Sequence, residues 1–347
     1  MTTVKEGTQL TRSVNNHTVD LLKFIGSIMI FTMHISAFRD FGEFSFAWML
    51  LSRWAVPFFF ITSAYFLFRK GENGNITSSD LCKYLKRIAT LYFCWFLFNL
   101  PSVVYSRLYS PGITKAETWL NFFCSACLSS TFTGSWYLAS CMFSAVFIYL
   151  LSKKLRSNTV LAIALCVQAV CVFTSLYAGL LPPKIDAALT LLRFPLNLCG
   201  GVVYFALGKL VAEKESLFKN LLFTDCVFFA LFFYGLYILE IHLSKACGVY
   251  RFADEAFSLM PISLFILLAC QKSSMQLRHS KGLRKMSTVI YCCQGNILLF
   301  LPKILGHYGI TASLTQFLFG ALCATVIITI VFALQKSKKL KWAKYLT

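Results

Sequence analysis

The chain has 347 residues, of which 57% are hydrophobic, 16% are aromatic and only 14% are charged. Soluble domains carry about 25% charged residues, so this composition excludes a soluble enzyme, a disordered chain and a secreted disulfide scaffold. A net charge of +19 would suggest a nucleic-acid partner for a soluble protein. Here we expect the cations to mark membrane topology instead, and we expect no nucleic-acid partner.

Long apolar runs recur along the whole sequence and predict a polytopic, all-α membrane bundle of about ten transmembrane helices. Most of these runs approach the ~20 residues that a helix needs to cross a bilayer. In chain order, the predicted spans are 18–38, 45–68, 84–106, 135–152, 158–180, 188–211, 219–240, 256–271, 286–302 and 312–334. Two of them, 256–271 and 286–302, are short for a complete crossing.

Lysine and arginine are concentrated in alternate connections between these spans, starting with the N-terminus and ending with the C-terminal tail. Under the positive-inside rule, this alternation places both termini in the cytoplasm and supports the count of ten. We therefore expect one integral-membrane domain over residues 1–347, with a cytoplasmic N-terminus at 1–17 and a basic cytoplasmic tail at 335–347. The tail is suited to anionic lipid, so membrane lipid is an expected partner.

The chain contains 14 cysteines and five histidines, but their spacing does not indicate a metal site. Cys124 and Cys127 form one C-x-x-C, whereas a zinc ribbon needs a second pair. The histidines show no H-x-x-x-H pattern. We predict that the protein binds no metal and that most of the cysteines are small packing residues.

Four basic side chains lie well inside predicted spans, more than three residues from either end, where they are costly and often functional. They are Lys23 and His34 on the first span, Arg53 on the second and Arg193 on the sixth. Lys23 and His34 are 11 residues apart, so they share one helix face and lie about 16 Å apart along the axis. If these helices adjoin, the side chains line a polar path with a general-base candidate, His34, at its outer end.

Each of these residues also has a structural interpretation. Lys23 could pair with Asp20 one turn earlier or extend toward the inner surface. His34 could be a structural hydrogen-bonding group, and Arg193 could lie at the outer interface of the membrane. Arg53 is ~12 Å inside its span, too deep to reach water easily. It therefore requires an acidic or carbonyl partner, or a watery cavity, because a guanidinium does not lose its proton.

Several segments, taken in order, resemble the acyltransferase-3 family of integral membrane proteins. The opening V-D-L-L-K at 19–23, followed by His34, is similar to the family's L-D-x-L-R and its later histidine. The run R-W-A-V-P-F-F at 53–59 resembles the family's R-x-x-V-P-x-F-F stretch. Further similar segments begin at Lys83, Gly134, Arg193, Tyr204 and Ser287. The resemblance extends from residue 19 to about residue 300, nearly the whole chain.

The resemblance implies an O-acyltransferase of the plasma (bacterial inner) membrane. Such an enzyme moves an acyl group, commonly acetyl, from cytoplasmic acetyl-CoA or another acyl-CoA to a hydroxyl of a cell-envelope or exopolysaccharide sugar. The family's roles would make His34 and Arg53 catalytic, and Lys23, Lys86 and Arg87 would bind the phosphates of coenzyme A. The residues expected to bind the glycan acceptor are Trp136, Tyr137, Arg193 and Tyr291.

The sequence departs from the family pattern at Lys23, where the family has arginine, and at Ser135 and Gln294, which stand near common histidines. The first departure replaces the guanidinium of arginine, which can bind phosphate or carboxylate in a bidentate manner, by the point charge of a lysine ammonium. Lys86 and Arg87 could also be ordinary membrane anchors. Other functions stay open: a ten-span transporter or flippase of a small or lipid-linked substrate, a polysaccharide polymerase, or an inactive family member acting as a membrane scaffold. A homo-oligomer is open as well.

Overall fold

The computed structural model describes residues 17–108, 130–186, 197–337 and 340–347. Over these residues the chain is all-α and contains no β-strand, which confirms the predicted fold class. Its helices are α1 (His17–His34), α2 (Glu43–Ser52), α3 (Ala55–Phe68), α4 (Ser78–Leu108), α5 (Ser135–Ser152), α6 (Ser157–Ser175), α7 (Val202–Glu213), α8 (Phe223–Ala246), α9 (Leu259–Lys272), α10 (Ser280–Cys292), α11 (Gln294–His307) and α12 (Ser313–Lys336).

Not every helix is long and apolar enough to cross a membrane. In the described part of the chain, six segments are long and apolar enough, with α2 and α3 counted as one segment. The number is seven if α10 and α11 form a single bent span. The 18 residues of α1 include Asp20 and Lys23, and α9 has only 14 residues. The protein is thus a multi-pass membrane protein. The count of ten and the side of the termini stay predictions, although every predicted span overlaps a described helix.

Two of the predicted spans are interrupted. The span 45–68 breaks at Arg53 and Trp54, between α2 and α3. Pro57 follows the break, and it has no N–H to donate to the carbonyl of Arg53, so a continuous helix would leave that carbonyl unpaired. The span 286–302 is likewise divided between α10 and α11, which meet at an angle of 56°. Both interruptions lie near one cavity, which Arg53 and Tyr291 of α10 line.

Small residues bring α1, α3 and α7 close together. A Cβ on Gly208 of α7 would lie 2.6 Å from the carbonyl oxygen of Ile61 on α3. A Cβ on Gly26 of α1 would lie 3.1 Å from the Cβ of Ala55 at the start of α3. Glycine at these positions permits helix spacings that a larger side chain would prevent. The α3 helix is consequently almost wholly buried, with α1 and α7 on its flanks.

Candidate active site

His34 and Gln294 meet where α1 ends and α11 begins. The helix α10 packs against α1, with Ser287 Oγ donating to the carbonyl oxygen of Lys23 at 2.9 Å. Because Gln294 follows α10 in the chain, this packing places Gln294 beside His34. His34 Nδ1 lies 2.6 Å from Gln294 Oε1, across 260 residues of sequence. With the amide oxygen of Gln294 as the acceptor, Nδ1 of the neutral ring carries the proton and Nε2 keeps its lone pair. A general base needs this arrangement.

A cavity of about 830 Å³ opens at the end of the bundle that carries His34, which we call the His34 end. Its walls come from α1, α2, α3, α5, α6, α7 and α10, and from the segments between α1 and α2 and between α8 and α9. The side chains that bring chemistry to it include His34, Arg53, Trp136, Tyr204, Glu255 and Tyr291. Its volume is within the range of small-molecule sites, and its mixture of aromatic and polar side chains is typical of them.

Arg53 lies in the break between α2 and α3, and its side chain is 20% exposed. Its Nη1 pairs with Asp254 Oδ1 on the segment before α9. Its Nε is buried and has no hydrogen-bond partner within the described residues. An arginine at this depth was expected to need an acid or a cavity, and it has both. Arg53, Asp254 and His34 line the same cavity, so their charges act on one another through a poorly hydrated space.

The expected glycan-binding aromatics separate into two positions. Trp136 and Tyr291 line the cavity, and Tyr291 Oη donates to the carbonyl oxygen of Gly134 at 2.9 Å. Gly134 precedes α5 with a φ of 85°, a left-handed conformation that suits glycine. Tyr137 is not among the residues that line the cavity. Its ring packs behind the wall instead, 4.6 Å from the ring centre of Phe60 and 5.5 Å from that of Tyr291.

The opposite end of α1 carries a group of cations that we call the Lys23 end, formed by Lys23, Arg87 and Arg284. The local ion pair that spacing allows between Asp20 and Lys23 does not form. Asp20 instead accepts from Arg284 of α10, with Nε to Oδ1 at 2.9 Å. Arg87 and Arg284 lie close enough to repel the ammonium of Lys23. On α4, Lys86 and Arg87 are exposed.

The family model described as an acyltransferase domain matches residues 16–334. The chain belongs to the acyltransferase-3 family. The match spans nearly the whole sequence, so the resemblance of the separate segments is confirmed. It also includes both the His34 end and the Lys23 end within one domain of this acyltransferase-3 protein.

Curated relatives of this acyltransferase-3 protein include two proteins of Enterococcus faecalis, each named "Amino-acid racemase". One is 24% identical over 366 residues, an alignment that covers 97% of this chain and 48% of the relative. The other is 21% identical over 348 residues and covers 94% of this chain and 47% of the relative. The chain therefore spans about half the length of these relatives. No solved structure matches it.

Some functional candidates were absent from the sequence-based prediction. Gln294 was noted only as a departure, yet it is the partner of His34. Asp254 and Glu255 stand together just before the predicted span 256–271. Because acids are scarce in this acyltransferase-3 chain, such an adjacent pair was the available sign that these two residues have a function. Arg284 was not singled out, because it is one of several cations in the predicted loop before the span 286–302. Three residues discussed from the sequence lie outside the described part of the chain: Cys124, Cys127 and Arg193.

Proposed function

We propose that this protein is a membrane O-acyltransferase that moves an acetyl group from acetyl-CoA to a hydroxyl of a cell-envelope or exopolysaccharide sugar. The observation that carries the proposal is the pairing of His34 Nδ1 with Gln294 Oε1 at a cavity that also holds Arg53. This pairing holds the ring in one orientation and leaves Nε2 as the free nitrogen. The membership of the family supports the acyl-transfer chemistry.

The proposed reaction begins with the acceptor hydroxyl, which is a weak nucleophile until a base removes its proton. Nε2 of His34 takes that proton as the hydroxyl oxygen attacks the thioester carbonyl carbon. The resulting oxyanion is stabilised by the guanidinium of Arg53, whose buried Nε is unpartnered in the described structure. The carbon–sulfur bond then breaks, and the imidazolium returns the proton to the thiolate of coenzyme A.

The Lys23 end is the proposed site for the phosphates of the donor. Lys23, Lys86 and Arg87 are joined there by Arg284, whose guanidinium is partly neutralised by Asp20. Ammonium and guanidinium groups bind phosphate oxygens by charge-assisted hydrogen bonds. Since Lys23 and His34 share α1 and are about 16 Å apart along its axis, the acyl arm of coenzyme A would extend along this helix.

The test is transfer of labelled acetyl from acetyl-CoA in membrane vesicles that contain the envelope glycans of the native host. Wild type is compared with His34→Ala. Label that enters glycan only with wild type is the expected result. Equal labelling by both proteins would keep an acyltransferase but remove His34 from its centre. No labelling by either, together with no binding of acetyl-CoA, would overturn the proposal.

A further inference from the structure

Glu255 differs from the other acidic side chains of the cavity because no cation pairs with it in the described structure. Asp254 pairs with Arg53, and Asp186 pairs with Arg251 at 2.6 Å between Oδ1 and Nη1. Glu255 Oε2 instead accepts a hydrogen bond from Gln168 Nε2 at 2.8 Å. Burial raises the pKa of Glu255 to about 7, the direction expected for a carboxyl group held away from water.

Two more buried polar atoms near Glu255 lack partners, one on the cavity wall and one behind it. Tyr204, which lines the cavity, is 1% exposed, and its Oη makes no hydrogen bond within the described residues. Gln168 does not line the cavity, but it is fully buried, and its Oε1 is likewise unpartnered in the described structure. Its Nε2 holds the carboxyl group of Glu255, which lines the same cavity as Tyr204. Buried polar atoms normally have partners, so atoms left open beside a cavity indicate a polar ligand.

The free oxygen of Glu255 and the indole ring of Trp136 both lie close to Gly200. A Cβ on Gly200 would be 3.0 Å from Glu255 Oε1 and 4.0 Å from Cζ3 of Trp136, so both groups surround the position of this glycine. Glycine keeps that space open. A carboxylate next to the indole ring of tryptophan is a combination suited to a cation, because the ring face also attracts positive charge.

We propose that Glu255, Tyr204 and Trp136 form a subsite for an ammonium group, so the acceptor is an amine-bearing hydroxyl compound such as an amino sugar. An ammonium has three N–H donors. Glu255 Oε1 and Tyr204 Oη, both from residues of the cavity wall, are acceptors for two of them, and Gln168 positions the carboxyl group of Glu255 from behind. This inference rests on the proposed function, since the acceptor enters the cavity of His34, but it concerns binding alone.

The experiment measures binding, by isothermal titration calorimetry, to the full chain purified in detergent. The probes are glucosamine, N-acetylglucosamine and glucose, just above pH 7. Wild type is compared with Glu255→Gln, which keeps the shape of the side chain and removes its charge. The control is Glu43→Gln, since Glu43 is exposed at the start of α2 and does not line the cavity.

Wild type and Glu43→Gln are expected to bind glucosamine at least about tenfold more tightly than the two neutral sugars. Glu255→Gln is expected to lose this preference while its affinity for glucose stays within about twofold of wild type. Equal affinity of wild type for all three sugars, no binding of glucosamine, or an unchanged Glu255→Gln would each overturn the subsite. Acetyl transfer in vesicles is a separate measurement. Loss of the preference for glucosamine would therefore contradict the subsite without contradicting the acyltransferase activity, and absence of acetyl transfer would contradict the activity without contradicting the subsite.

Discussion

The two ends of α1 are built on different principles. At the His34 end, the side chains have specific partners from distant parts of the chain: Gln294 holds His34, and Asp254 pairs with Arg53. At the Lys23 end, Arg87 and Arg284 are exposed, Lys23 is half-buried, and Asp20 pairs with Arg284. A proton transfer requires fixed geometry, whereas attraction of phosphate requires mainly charge. The His34 end should therefore tolerate little change, and the Lys23 end considerably more.

The sharpest test of this difference is His34→Ala. Loss of a general base lowers rates by about 10² to 10⁴, so we expect kcat for acetyl transfer to fall by at least about a hundredfold. Label transfer in vesicles measures it. His242→Ala is the matched control, because His242 is exposed and its Nδ1 contacts the carbonyl oxygen of Ile238 one turn earlier on the same helix. A His34→Ala protein that transfers acetyl as wild type does would contradict the assignment.

A second test asks whether charge alone is sufficient at the His34 end. Arg53→Lys keeps the positive charge but loses the planar fork, and we expect kcat to fall by about 10². Arg251→Lys is the control, since Arg251 also lines the cavity in an ion pair, and a partly exposed pair contributes little. We expect it to change kcat by less than about threefold. Equal losses in the two variants would assign Arg53 a structural role.

A third and smaller effect is expected from Gln294→Leu, which removes the acceptor for His34 Nδ1 while preserving volume. The ring then loses its fixed orientation, and kcat should fall by about tenfold with an unchanged KM for acetyl-CoA. Steady-state kinetics separates the two quantities. Gln316→Leu is a suitable control, because Gln316 lies in the first turn of α12 and its Nε2 donates to the carbonyl oxygen of Ile310 just before that helix. A change confined to KM would rule out a positioning role for Gln294.

The smallest effect should come from the Lys23 end. Lys23→Arg should keep kcat and the KM for acetyl-CoA within about twofold, because the charge is retained. Lys23→Ala should raise that KM by about fivefold, with kcat nearly unchanged and with weaker dependence on salt. Kinetics at two ionic strengths measures this. An inactive Lys23→Arg protein would show that geometry matters at this end too, and the contrast between the ends would disappear.

Much of the fold follows from hydropathy because lipid selects long apolar helices. The predicted span 135–152 coincides with α5, and 312–334 lies within about two residues of α12. The breaks near Arg53 and Gln294 were not predicted, since an average over ~20 residues does not register a local interruption. Pro57 was the only local sign of the first one.

The candidate site was predictable in part. His34 and Arg53 stood out because polar side chains are rare in apolar runs, and both line the cavity. Gln294, Asp254 and Glu255 gave no comparable signal. Gln294 is uncharged, and the two acids lie at the edge of a predicted span rather than inside it. Their significance arises from contacts between distant helices, which spacing along the sequence does not reveal.

The break at Arg53 has a further consequence for the cavity. It makes α3 begin in the interior of the bundle, with Val56 and Pro57 of its first turn at the cavity wall. The amino end of a helix carries roughly half a positive charge from its aligned peptide dipoles, and the carboxyl end carries a similar negative charge. Since α2 ends at Ser52 and α3 begins at Ala55, these opposite ends meet beside Arg53, and their fields largely cancel. The positive potential at this part of the wall therefore belongs to the guanidinium of Arg53, and replacing it by an uncharged side chain would leave little backbone field in its place.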